Sequence, residues 1–136
     1  MRTVSAMRVA LGLATASGLV VDAYTHFDLA SAYDRVGSAL TEGTLFRVEA
    51  AVAVLACLAV LGWRDTRSFG FALLVASSAL LALLAATYLR IGPIGPVPDM
   101  SEPTWFPEKA TAAIGEAVAV VTAASGVAIS RLDRRR

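Results

Sequence analysis

Four apolar stretches, separated by short polar or proline-rich segments, organise the chain. They predict helices over about 7–24, 44–63, 69–91 and 108–130, with loops at 25–43 and 92–107. Each stretch is close to the roughly 20 residues that a helix needs to cross a hydrocarbon core. The third, FGFALLVASSALLALLAATYL, is free of charge throughout, whereas the second and fourth carry charges near one end. In the first, the uninterrupted apolar run is Val9–Val21, preceded by Arg2 and Arg8. A cleaved signal peptide is the rival reading there. Its small-x-small site, Ala14-Thr15-Ala16, sits inside the run rather than after it, which favours a membrane helix.

Composition points the same way. The 136 residues are 57% hydrophobic, with a mean hydropathy of +0.65. A single soluble domain of this size cannot bury so much apolar surface in one core. The expectation is an all-α four-transmembrane-helix bundle in one domain, with the lipid bilayer as solvent. Its place is a bacterial plasma membrane. The single cysteine, Cys57, lies in an apolar run and excludes an intrachain disulfide. Without a basic stripe interleaved with aromatics, no nucleic-acid partner is expected.

Charge then orients the bundle. Four spans place the N-terminus, the 64–68 turn and the C-terminus on one side. That side collects eight basic residues: Arg2, Arg8, Arg64, Arg67, Arg131, Arg134, Arg135 and Arg136. The other side holds Arg35, Arg47, Arg90 and Lys109. The positive-inside rule therefore predicts both termini in the cytoplasm. Acidic residues do the reverse: Asp65 and Asp133 fall inside, and the other nine fall in the outer half. Acidic residues contribute little to topology, so function is one candidate cause of this second asymmetry.

The two outer loops are also the long ones. Residues 25–43 could hold a short amphipathic turn over the bundle mouth. Residues 92–108 contain all five prolines and exclude regular helix or central strand. Trp105 and Phe106 suit the headgroup layer, and Pro107-Glu108 suits a first helical turn. Asp28, Asp34 and Glu42 read as solvated loop residues.

Charged groups at membrane depth usually face a bundle interior or a cavity. Asp22 and His26 stand at i,i+4 on the first helix, Glu49 lies in the second and Glu116 in the fourth. All four belong to the outer ends of their helices, and Tyr88 and Arg90 on the third lie at matching height. Arg47 and Glu49 project about 200° apart on an ideal helix. Glu49 is expected to face inward, and Arg47 to snorkel or meet another neighbour. Three readings stay open for this constellation. It could pin helices together, alongside a close-contact stripe of Gly115, Ala119, Thr122 and Gly126. It could exchange protons in a quinone- or proton-linked pocket. Or His26, Asp22, Glu49 and Glu116 could hold a metal, although no HExxH-type motif is present.

The phrases HFDLASAY, EGTLFRVEA and GPVPDMSEPTW…EK resemble those of small bacterial four-helix membrane proteins across nearly the whole chain. In helix number and size the chain is also similar to DoxX-like proteins, some of which are membrane subunits of quinone-linked sulfur oxidation. That resemblance implies a quinone-linked membrane component and carries no catalytic residue over. With no complete catalytic motif, the expectation is a non-enzymatic membrane protein, an accessory subunit of a larger membrane complex. The runner-up is a quinone- or proton-linked oxidoreductase component, or a metal-binding membrane protein, using the acidic outer pocket.

Overall fold

The computed structural model describes residues 2–134, with the side chain of Arg2 outside that description. Arg135 and Arg136, counted above on the basic side, also lie outside it. Four helices fill the chain: α1 (Arg2–Ala30), α2 (Glu42–Trp63), α3 (Thr66–Tyr88) and α4 (Pro107–Asp133). All four are long and apolar enough to cross a membrane. A single 3-10 turn, Ser31–Tyr33, follows α1. Two isolated bridges in the loops are the β-type pairing among the described residues.

The helices alternate in direction. One end of the bundle brings together Arg8 near the start of α1, Arg64 after α2, and Asp133 at the end of α4. There Arg8 Nε donates to the Arg64 carbonyl at 3.1 Å, and Arg8 Nη1 lies 3.2 Å from Asp133 Oδ2. This basic end contains the tight α2–α3 turn. Arg64 adopts a left-handed conformation at φ 49°, which lets the chain reverse within two residues. Asp65 then caps α3 in a reciprocal box: its Oδ1 accepts from Ser68 N at 2.8 Å, and Ser68 Oγ accepts from Asp65 N at 3.0 Å.

Those bonds to Ser68 hold the Asp65 carboxyl below the usual aspartate range. Depression of the folded-state value means that the carboxylate stabilises the fold above the ordinary aspartate pKa. That contribution disappears as pH falls through the lowered value. Asp65→Ala is expected to cost about 1 kcal/mol. Thermal unfolding in detergent at neutral pH checks this, and the difference from the native chain should shrink in acid.

Helix α1 packs chiefly on α4 and α2, while α3 packs chiefly on α4; of the neighbouring helix pairs, α2 and α3 touch least. The interior is made of small residues. Ala53, Ala56, Ala72, Ala76, Ala119 and Ala123 are fully enclosed, with Leu19, Val60 and Phe69 as the larger fillers. The outside carries the bulk instead: Leu13, Leu55, Leu58, Leu74, Leu81, Ile114 and Val121 are exposed. A large-outside, small-inside arrangement suits lipid, where helices associate by close backbone packing rather than by hiding leucines. Gly18 of α1 meets Gly115 and Ala119 of α4 in this way. Next to that contact, the Thr15 and Thr122 hydroxyls share a hydrogen bond of 2.8 Å. The ring of Phe69 fills the groove left by Gly126.

Helix α1 continues to Ala30, so residues 25–30, expected in the outer loop, are helical and carry His26 on a regular turn. Helix α3 stops at Tyr88, leaving Arg90 and Ile91 outside it. Ahead of the run of prolines and glycines, Leu89 turns extended, a boundary that X-Pro-rich chain favours. Pro107 opens α4 as its first residue, with Glu108 in the first turn.

Candidate functional site

The acidic end of the bundle contains a cavity of about 410 Å³. Its two apolar walls come from α2 (Leu45, Phe46, Val48) and α3 (Ala79, Ala82, Leu83, Ala86). These helices start from the tight turn at the basic end and leave room between them at the other. Helix α1 supplies Thr25, His26 and Leu29, and the loop after α3 closes the top with Met100, Glu102 and Phe106. Polar atoms sit at two levels: Glu42, Glu102 and Lys109 near the mouth, His26 and Glu49 deeper.

Behind His26, the side chains of Asp22 and Glu116 are wholly enclosed. One ligand atom each of Asp22, His26 and Glu116 lies within 4.8 Å of the others. The i,i+4 spacing on α1 places His26 Nδ1 2.7 Å from Asp22 Oδ1. The ring nitrogen is better aligned with the Asp22 main-chain carbonyl, at 3.1 Å. That carbonyl can only accept, so Nδ1 carries the proton in this arrangement. Edge-on contact with Phe46, at 5.2 Å between centroids, fixes the imidazole plane. Asp22 Oδ2, both oxygens of Glu116 and Oε1 of Glu49 are buried without a hydrogen-bond partner, and Asp22 Oδ1 has only its contact with the His26 ring. Buried carboxylates are normally satisfied, so three of them at one level mark a site rather than ordinary packing.

Two of the four basic residues at this end, Arg47 and Lys109, are engaged elsewhere. Arg47 makes a two-pronged pair with Asp34, at 2.6 and 2.8 Å. The guanidinium holds the Asp34 carboxyl below its usual range. Lys109 Nζ donates to the carbonyls of Glu102 and Thr104, the latter at 3.2 Å. It also stands over the Trp105 ring, 5.3 Å from its centroid. Lys109 thus ties the proline-rich loop to α4 and leaves His26 as the one basic side chain against the buried carboxylates among those described.

The structure brings together four of the seven residues singled out in the sequence: Asp22, His26 and Glu116 in one cluster, with Glu49 on the adjoining cavity wall. Arg47, Tyr88 and Arg90 do not join them. Arg47 faces outward to Asp34, about 200° around α2 from Glu49. Tyr88 is exposed and accepts a hydrogen bond from Trp105 Nε1 at 3.2 Å. It lies next to the inward-facing Thr87, so matching height did not mean matching face. Arg90 lies beyond the end of α3 and is exposed.

Two residues read as solvated loop have definite roles. Glu42 is buried as the first residue of α2 and lines the cavity mouth. Asp34 locks Arg47 and abuts Gly43, where a Cβ would collide with the Ala30 carbonyl and the Asp34 carboxylate. Asp28 is exposed. The sequence reading also missed Glu102 and Lys109 as cavity residues. A lysine immediately after the Pro-Glu helix start was the available signal.

Fold and site together define a four-helix bundle of membrane-spanning type with a polar-floored chamber at its acidic end. Compared with known proteins, the chain matches no protein family, no curated protein sequence and no solved structure.

Proposed function

We propose that this protein binds a lipid-soluble molecule of the quinone class in the acidic-end cavity, with the polar head at His26 and Glu49. The observation that carries the reading is the cavity itself. It is walled by apolar side chains of α2 and α3 and floored by a histidine and a carboxylate. Such a combination of apolar lining and a few convergent polar groups suits an amphipathic ligand. Besides the polar mouth, Val48 of α2 and Ala82 of α3 line the cavity and are also exposed on the bundle's outer surface. They offer the ligand a path from lipid between these helices. A non-enzymatic accessory component needs only packing surfaces; the buried carboxylates of Asp22 and Glu116, with Glu49 beside the chamber, favour the ligand-binding alternative. The DoxX-like resemblance points in the same direction.

The test is direct. Purified protein, titrated with a short-chain ubiquinone analogue in detergent, should bind one equivalent saturably. Solvent extraction of protein isolated from membranes should release a quinone in comparable amount. Absence of both sinks the reading.

The same proposal places the protein in a bacterial plasma membrane with the basic end in the cytoplasm. The cavity then faces the outer leaflet. A reporter fused after the last residue is expected to show cytoplasmic activity, whatever the ligand. Periplasmic activity of that fusion would invert the orientation.

A further inference from the structure

We infer that Asp22, His26 and Glu116 form a binding site for one first-row divalent cation, with Zn²⁺ as the best match. This inference goes beyond the quinone reading and stands without it. Three observations converge. One potential ligand atom from each residue lies within 4.8 Å of the others. The Asp22 and Glu116 side chains are fully enclosed, and apart from the 2.7 Å contact of Asp22 Oδ1 with His26 Nδ1 their oxygens have no hydrogen-bond partner. Of the four basic residues at this end, Arg47 and Lys109 are held by Asp34 and by loop carbonyls, and Arg35 and Arg90 are exposed.

Two carboxylates enclosed together, with one imidazole as their nearest cationic partner, call for more positive charge than His26 alone supplies. A divalent ion supplies it in one step and uses the free oxygens as ligands. Imidazole plus two carboxylates is a donor set suited to zinc and its neighbours rather than to soft copper(I) or to an all-oxygen calcium site. Bonds of about 2.0–2.2 Å put tetrahedral ligands roughly 3.3 Å apart. Side-chain rotations are enough to bring donors already within 4.8 Å to that spacing. The scaffold is firm: Asp22 and His26 share one turn of α1, and Glu116 follows Gly115, which seats α4 against α1 at Gly18. Nδ1 is the ring nitrogen that faces the carboxylates, 2.7 Å from Asp22 Oδ1; it would coordinate the ion after losing the proton it directs at the Asp22 main-chain carbonyl.

His26 is the chain's single histidine, so imidazole ligation can be assigned without a variant. Protein carrying a histidine-free affinity tag, stripped with EDTA and incubated with Zn²⁺, is expected to retain about one zinc per chain after desalting. X-ray absorption at the zinc edge should show one imidazole in a nitrogen–oxygen shell. Asp22→Asn and Glu116→Gln should each lower zinc affinity by tenfold or more. Glu49→Gln and Ala82→Phe should keep the zinc even where they abolish quinone binding, which separates failure of one reading from failure of the other. If the two cluster variants do not fold, stoichiometry and the imidazole signal of the native chain decide. Failure to retain zinc, or zinc bound without imidazole, overturns the inference and leaves a proton as the compensating charge.

Discussion

Replacing Gly18 by valine is expected to prevent assembly of the bundle or to destabilise it by about 3 kcal/mol or more, the upper range for overpacking. A Cβ at Gly18 would lie 2.5 Å from the Gly115 carbonyl oxygen and 2.9 Å from the Ala119 nitrogen. Both neighbours are backbone, so no side-chain rotation relieves the clash. Helices α1 and α4 would have to separate, opening the Thr15–Thr122 hydrogen bond and the contact that positions Glu116 beside Asp22. Gly62→Ala is the matched control. Nothing lies within 4 Å of its added carbon, and removing a glycine from the last turn of α2 should be neutral or stabilising by up to about 0.5 kcal/mol. Thermal unfolding and size-exclusion profiles in detergent compare the two. A Gly18→Val protein as stable as the native chain would refute the close α1–α4 contact.

The second large effect concerns the ligand. Ala82→Phe is expected to weaken quinone binding at least tenfold without lowering thermal stability. Ala82 is exposed on α3 yet lines the cavity, so a phenyl ring there occupies ligand volume without displacing a packed neighbour. Its apolar surface also matches the lipid-facing side of α3. Glu49→Gln tests the polar floor separately. It keeps the shape and removes the charge, so a ligand head that bonds this carboxylate should bind about tenfold less tightly, the loss of roughly 1.4 kcal/mol. Unchanged binding in both variants would place the ligand outside this cavity.

Some features were legible because they depend on residue type and local spacing alone. The α3 span is one: a charge-free run longer than 20 residues has no other good solvent than lipid. The capped ends are another. Pro107-Glu108 announced the start of α4 through a missing N–H and a favourable dipole contact. Asp22 and His26 were paired correctly by helical spacing, since four residues always bring side chains to one face.

Other features could not be read. Tyr88 and Arg90 stood at the right depth, but depth along a helix says nothing about its rotation. The structure turns Tyr88 outward and ends α3 before Arg90. Glu42 sat in a segment of loop composition, yet it is drawn inward because α2 begins at Glu42. Its burial depends on Gly43 packing against Ala30 and Asp34, a contact between chain segments that local spacing does not encode.

The sequence by itself determined the number of apolar helices, the polarity of the bundle and the set of carboxylates at its acidic end. Hydrophobicity and charge are summed residue by residue, so these properties exist before the chain folds. Tertiary structure decided which carboxylates meet and which cations reach them. Rotation of α1 against α4 at Gly18 and Gly115 joined Asp22, His26 and Glu116; separation of α2 from α3 made the chamber beside Glu49. Both outcomes follow from where small side chains allow backbones to approach. That is settled pairwise across the bundle, not along the chain.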